Sequence, residues 1–131
     1  MRINVRSLKE GDARICEAGG ELDAYTAPDL RDALDGELEE GNAVLVVDLK
    51  DLTYLDSTGL GILVGTAKRC RQAGGDLAVA CTRPNLLKIF QISGTHEILN
   101  VVPSVEDATE RLKDLQSDRA RMNGAGEEDG K

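Results

Sequence analysis

The sequence predicts an α/β domain, a small mixed β-sheet with helices packed against it, and three observations predict it. Residues 43–49, AVLVVDL, are an almost unbroken valine-rich run, the pattern of a strand buried on both faces. Three segments repeat apolar residues at the spacing of an amphipathic helix: Leu30, Leu34 and Leu38; Leu60, Leu63, Val64, Ala67 and Cys70; Ala108, Leu112 and Leu115. These runs fall in the order strand, strand, helix, then alternating strands and helices, with no internal repeat, which requires one sheet under helical cover.

The elements follow in turn. RINVRSL and DARICEAG alternate partly between apolar and polar residues across Lys9, Glu10 and Gly11, and so form a hairpin of adjacent antiparallel strands. TAPDLRDALDGELEE opens on Thr26 as N-cap, carries Pro28 where a missing N–H costs little, and ends near Gly41. After the 43–49 strand, Asp51 to Tyr54 read as a loop. Ser57 reads as the N-cap of a second helix from about Thr58 to Ala73, stopped by Gly74 and Gly75. DLAVAC, residues 76–81, is a further strand; Pro84 opens the short helix PNLLKIFQIS; ILNVV supplies the last strand, and Ser104 caps the last helix. One domain is expected over residues 1–116. The remaining 117–131, ending MNGAGEEDGK, are polar and glycine-rich and are expected to lack fixed structure.

Composition limits the function. With 40% hydrophobic and 31% charged residues the chain has ordinary soluble character, and no stretch approaches the ~18 apolar residues of a membrane span. MRINVRSLKE has no apolar core of a secretory signal, so the expected compartment is the cytoplasm. The three cysteines, Cys16, Cys70 and Cys81, show no C-x-x-C spacing and sit among apolar neighbours, as buried free thiols do. No metal or other cofactor is expected. A net charge of −8 disfavours nucleic acid, whose phosphates need a basic surface. Within residues 21–40 eight acids face Arg31 alone, a local charge of −7 that marks either a solvated helix face or a surface steering a basic partner.

The densest cluster of polar and small residues is YLDSTGLGIL, 54–63. Each glycine inside a helix costs roughly 1 kcal/mol relative to alanine, so Gly59, Gly61 and Gly65 must bring a compensating benefit. Gly61 and Gly65, four apart, would allow close approach of another element, whereas Gly59 would bare backbone beside the Ser57 and Thr58 hydroxyls. Packing and site explanations both stand at this point.

Familiar catalytic patterns do not fit. A nucleophile elbow needs G-x-S-x-G, but position 55 is Leu, and the single histidine, His96, has no evident acid partner. There is no G-x-x-x-x-G-K-[ST] loop, and the glycines give G-x-G-x-x-x-G where a dinucleotide fingerprint needs G-x-G-x-x-G. Asp48, Asp51 and Asp56 could be drawn as a magnesium cluster, but nothing in their spacing fixes them around one ion.

Four segments together, GGELDAYTAPDL, VVDLKDLTYLDSTGLGIL, AGGDLAVA and ISGTHEIL, resemble a bacterial anti-sigma factor antagonist of the STAS domain family over roughly residues 2–115. D-S-T-G-L-G is the most specific part, supported by G-E-L-D before the first helix. The resemblance implies a mixed sheet with helices packed against it and no enzymatic activity. It implies a serine, here Ser57 with Thr58 as the neighbouring alternative, phosphorylated by an anti-sigma factor that is also a serine kinase. The unphosphorylated form would bind that kinase and release a sigma factor, and a phosphatase would restore binding. The implied partner surface comprises Asp23, Asp56, Ser57, Thr58, Gly59 and Gly61, with no nucleic acid and no membrane. The chain departs from the family pattern at Thr95 and His96, where an apolar residue usually follows the glycine. The alternatives are a small nucleotide-binding or phosphotransfer enzyme using Asp56–Gly61, and a STAS scaffold or transport-complex subunit.

Overall fold

In the computed structural model, which describes residues 1–7 and 13–129, the strands form one mixed six-stranded sheet. The elements are β1 (Arg2–Ser7), β2 (Arg14–Leu22), α1 (Ala27–Glu39), β3 (Val44–Asp48), β4 (Leu52–Leu55), α2 (Ser57–Gln72), β5 (Asp76–Ala80), α3 (Pro84–Ser93), β6 (Val101–Val102) and α4 (Val105–Asp129). Their spatial order is β1-β2-β3-β5-β6, with β4 against the end of β2. β1 and β2 are antiparallel, as the hairpin pattern requires, and every other pairing is parallel. The hairpin turn at Lys9, Glu10 and Gly11 lies outside the described residues.

Alternation within β3 explains its unbroken apolar run. Leu45 and Val47 face one core with Leu30, Leu34, Leu63, Ala67 and Phe90, while Val46 faces a second with Ile15, Ala78, Ala108 and Leu112. The first core lies under α1, α2 and α3, and the second under α4. A strand between two helical layers has no polar face to offer. The three cysteines are buried, and burial pushes the Cys16 and Cys70 thiols up to about 12, so they pack as small hydrophobes.

Several boundaries follow the expected chemistry. Pro84 begins α3 and Gly94 ends it with φ 73°; Gly74, with φ 87°, follows α2; Ser104 Oγ accepts the Asp107 N–H at 3.0 Å at the start of α4. Gly75 must be glycine for a different reason, since a Cβ there would lie 1.9 Å from the Ala43 carbonyl oxygen.

Five expectations are corrected. Asp51 to Tyr54 do not form a plain loop, because Leu52–Leu55 is β4, in parallel register with β2 through Gly20↔Leu52, Glu21↔Tyr54 and Leu22↔Leu55. Thr26 occupies the N-cap position of α1 but its side chain caps nothing, being turned back onto the preceding turn. Asp56, not Ser57, caps α2. ILNVV shrinks to a two-residue strand, because Asn100 turns with φ 48°. Finally, α4 runs past Ser117 to Asp129, with Arg119 donating to the Gly75 carbonyl at 3.0 Å and Arg121 paired with Asp118 at 2.6 Å.

Candidate functional site

The D-S-T-G-L-G segment is positioned by the β4–α2 junction. The Asp56 N–H donates to the Leu22 carbonyl at 3.1 Å, which extends the β2–β4 pairing by one residue and fixes where the chain leaves the sheet. Asp56 is extended (φ −108°, ψ −178°), its Oδ1 accepts the Gly59 N–H at 3.0 Å, and its carbonyl accepts the Leu60 N–H at 3.0 Å. This is N-cap geometry, and a carboxylate there also complements the positive helix end. Because Asp56 supplies the cap, the Ser57 hydroxyl is released from it. Ser57 and Thr58 are the first two helical residues and both are exposed, as is Gly61.

The glycines exchange the roles expected of them. Gly59 is buried, and a Cβ on it would lie 2.5 Å from Leu22 Cγ, 2.8 Å from Leu22 Cδ2 and 2.9 Å from Leu55 Cδ1. It lets α2 sit against the β2–β4 pair and bares no backbone to solvent. Gly61 and Gly65 have nothing within 4 Å of such a Cβ, so no element approaches them. Gly59→Ala should therefore lose up to about 2 kcal/mol, the ~1–3 kcal/mol of overpacking less ~1 kcal/mol of helix propensity, whereas Gly61→Ala should gain up to about 1 kcal/mol. Urea denaturation of the two variants checks this, and equal shifts of the same sign would contradict the assignment.

Asp23, half-buried, lies in the turn between β2 and α1. Its Oδ1 accepts the N–H of Tyr25 at 3.0 Å, the N–H of Thr26 at 3.1 Å and the Thr26 hydroxyl at 3.1 Å, while Thr26 Oγ1 lies 2.8 Å from the Glu21 carbonyl and 2.9 Å from the Asp23 N–H. The Thr26 backbone bond foremost, with the Thr26 hydroxyl and the Tyr25 N–H, holds the Asp23 carboxyl below the usual carboxylate range. Asp23 is thus the acceptor that organises the turn between β2 and α1. The turn follows directly on Leu22, the residue that receives Asp56 and packs on Gly59, so the Asp23 and Ser57 segments share one scaffold.

Sequence reasoning missed what that scaffold displays. The chain has two tyrosines and one phenylalanine. Phe90 is fully buried, but Tyr25 is 93% exposed and Tyr54 50% exposed. A signal was available, because both tyrosines fall inside the two most specific motif segments. Ile92, 76% exposed on α3, was missed as well. His96 is half-buried in the turn after α3, where its carbonyl accepts the Val101 N–H at 3.2 Å.

The magnesium arrangement is not assembled. Asp56 caps α2, Asp48 Oδ1 accepts the Lys50 N–H at 3.0 Å, and Asp48 and Asp51 line a cleft with Arg2, Lys50 and Glu106 that does not include Asp56. Among the described residues no three His, Cys, Asp or Glu side chains converge to hold a metal, and no helix is long and apolar enough to cross a membrane.

The fold is shared with known proteins. The STAS domain matches residues 4–108. An anti-sigma-B factor antagonist of Bacillus subtilis is 40% identical over 102 residues, 77% of this chain and 92% of that one, and one of Staphylococcus epidermidis is 33% identical over 106 residues, 81% and 98%. Among solved structures, an anti-sigma factor antagonist from Mycobacterium paratuberculosis superposes with a TM-score of 0.77 at 23% identity, over 86% of this chain and 93% of that one. The Bacillus cell fate determinant SpoIIAA in its phosphorylated form gives a TM-score of 0.65 at 20% identity, over 84% and 98%. With the domain match spanning most of its length and relatives of this similarity covered almost end to end, the chain belongs to the STAS domain family, alongside anti-sigma-B factor antagonists.

Proposed function

We propose that this chain is an anti-sigma factor antagonist switched at Ser57. Unphosphorylated, it binds an anti-sigma factor that is also a serine kinase and so frees a sigma factor; phosphate on Ser57 ends the binding, and a phosphatase restores it. The observation that carries the proposal is the placement of Ser57: exposed at the first position of α2, with capping delegated to Asp56, in a chain 40% identical to an anti-sigma-B factor antagonist. A free hydroxyl on a rigid helix end is accessible to a kinase, and the helix N-terminus tolerates the added charge. The same fold is known with phosphate in SpoIIAA. In this reading the chain is the substrate and ligand and performs no chemistry itself.

The test is capture of partners from the native cytoplasm on wild-type and Ser57→Ala chains, followed by mass spectrometry of residues 51–68 and production of the captured kinase. Ser57→Ala should bind the kinase and never be released by ATP. Its stability should stay within about 0.5 kcal/mol of wild type, since the Asp56 cap is untouched. Phosphate persisting in the 51–68 peptide of the substituted protein would move the assignment to Thr58.

A further inference from the structure

Taking Ser57 as the phosphoacceptor of a partner kinase, and so resting on that reading, we propose that Tyr25 is the aromatic anchor by which the kinase docks. Tyr54, in register with Glu21 on the adjoining strand, is a second exposed ring, and the docking face of the kinase is basic, set against the outer face of α1. The phosphoacceptor and the anchor are then separate parts of one surface.

The exposure of Tyr25 is built in. A lone exposed apolar residue on a mobile loop would mean nothing, but this side chain is held out by a turn in which one carboxylate and one hydroxyl engage five backbone groups: the N–H groups of Asp23, Tyr25 and Thr26 and the carbonyls of Glu21 and Asp23. Apart from Ala24, the turn projects only Tyr25 fully into solvent. An aromatic ring with two rotatable bonds on a fixed base loses little entropy when it enters a pocket, which is why tyrosine is frequent among the residues that dominate binding energy. Asp23 is accordingly a positioning residue, acting through Tyr25.

Location ties the anchor to the switch. Tyr54 is in register with Glu21, Asp56 donates to Leu22, and the Tyr25 turn begins at the next residue. Charge identifies the occupant. Of the acids in 21–40, Glu37 pairs with Arg14, Glu40 lies within reach of the same arginine's charge and Asp35 pairs with Arg69, whereas Glu21, Asp29, Asp32 and Glu39 are exposed and form no ion pair among the described residues. Asp29, Asp32 and Glu39 recur on the outer side of the helix that starts two residues after Tyr25. A basic protein face is the complement of that surface, and nucleic acid is excluded by the sign of the charge.

The probe is the purified kinase captured as described above, acting on the full chain. Tyr25→Ala should raise both the KM for Ser57 phosphorylation and the Kd of the unphosphorylated complex at least tenfold. Its kcat should stay within twofold and its melting temperature should not change, while Tyr25→Phe keeps most of the affinity. Asp29→Asn with Asp32→Asn should slow association several-fold at low salt and hardly at all at high salt. If Tyr25→Ala leaves KM and Kd within twofold of wild type, the anchor is overturned and the Ser57 switch still stands. An association rate insensitive to both the charge variant and salt overturns the basic face. A wild-type chain that binds the captured protein but gains no phosphate overturns the switch reading, and this proposal with it.

Discussion

Phosphate on Ser57 is expected to lower partner affinity by roughly a hundredfold or more while moving the melting temperature by no more than a few degrees. Driving a complex from mostly bound to mostly free takes ~5.5 kcal/mol of differential interaction, comparable to the whole stability of a small domain, so the penalty cannot come from partial unfolding. The first turn of α2 could absorb such a modification. Ser57 is exposed and makes no cap bond, so a phosphate displaces nothing, and the helix dipole's ~0.3–1 kcal/mol is opposed only by the neighbouring Asp56. At a docked face the phosphate must lose its water beside Asp56, at the end of α2 and away from the basic face set against α1, and burying an unpaired charge there is what ends the binding. The effect should shrink as salt rises and grow as pH passes upward through the phosphate's second pKa of about 6. Unfolding and affinity measured on the same phosphorylated preparation decide the matter. A melting temperature lowered by more than ~10 °C with affinity scarcely changed would indicate an unfolding switch.

How much of this was legible depended on whether a signal was local. β3 and α2 were readable because their apolar patterns are set by immediate surroundings, two helical layers for the one and a single core stripe for the other. β4 was not, since its buried residues, Leu52 and Leu55, are three apart with two exposed positions between, and so lack strand periodicity. Asp56 and Ser57 are equally good capping residues. What selects Asp56 is a hydrogen bond to Leu22, distant in the chain. Likewise the spacing of Gly59, Gly61 and Gly65 reveals helix faces but not which face meets a neighbour, and the neighbour of Gly59 is again Leu22. The polar composition after Ser117 argued against structure, but DRAR still contains good helix formers, and Arg119 reaches the Gly75 carbonyl. Ser57 draws attention through its motif alone. Tyr25 was passed over because exposure is a property of the fold and not of the residue type.

The second large effect is expected far from Ser57, at the other end of α2, where Asp76→Ala should cost about 3 kcal/mol. Asp76 is only 5% exposed, and its Oδ1 accepts from Arg71 Nε at 2.9 Å and from the Leu77 N–H at 2.8 Å. Arg71 also donates to the Ile98 carbonyl. Asn100, held at φ 48°, donates to the Leu77 carbonyl at 2.8 Å and accepts from Arg111 Nε at 3.4 Å. This network joins the end of α2, the start of β5, the turn before β6 and α4. Deleting the carboxylate leaves a guanidinium without its anion and a buried N–H without an acceptor. Because the Arg71 side chain is 30% exposed, some of the charge can be recovered by water, which places the loss at the lower end of the ~3–5 kcal/mol typical of a broken buried pair. At this chain length that is roughly a 10–15 °C fall in melting temperature. Asp76→Asn, which keeps an acceptor oxygen, should lose less, and Arg71→Met combined with Asp76→Ala should lose less than the two single changes added together, because each single change strands the other's partner. Urea midpoints at constant m-value measure all four proteins. Additive losses, or an Asp76→Ala midpoint equal to wild type, would mean that Asp76 holds these elements together by backbone contacts alone, the 3.0 Å bond from its N–H to Ala43 among them.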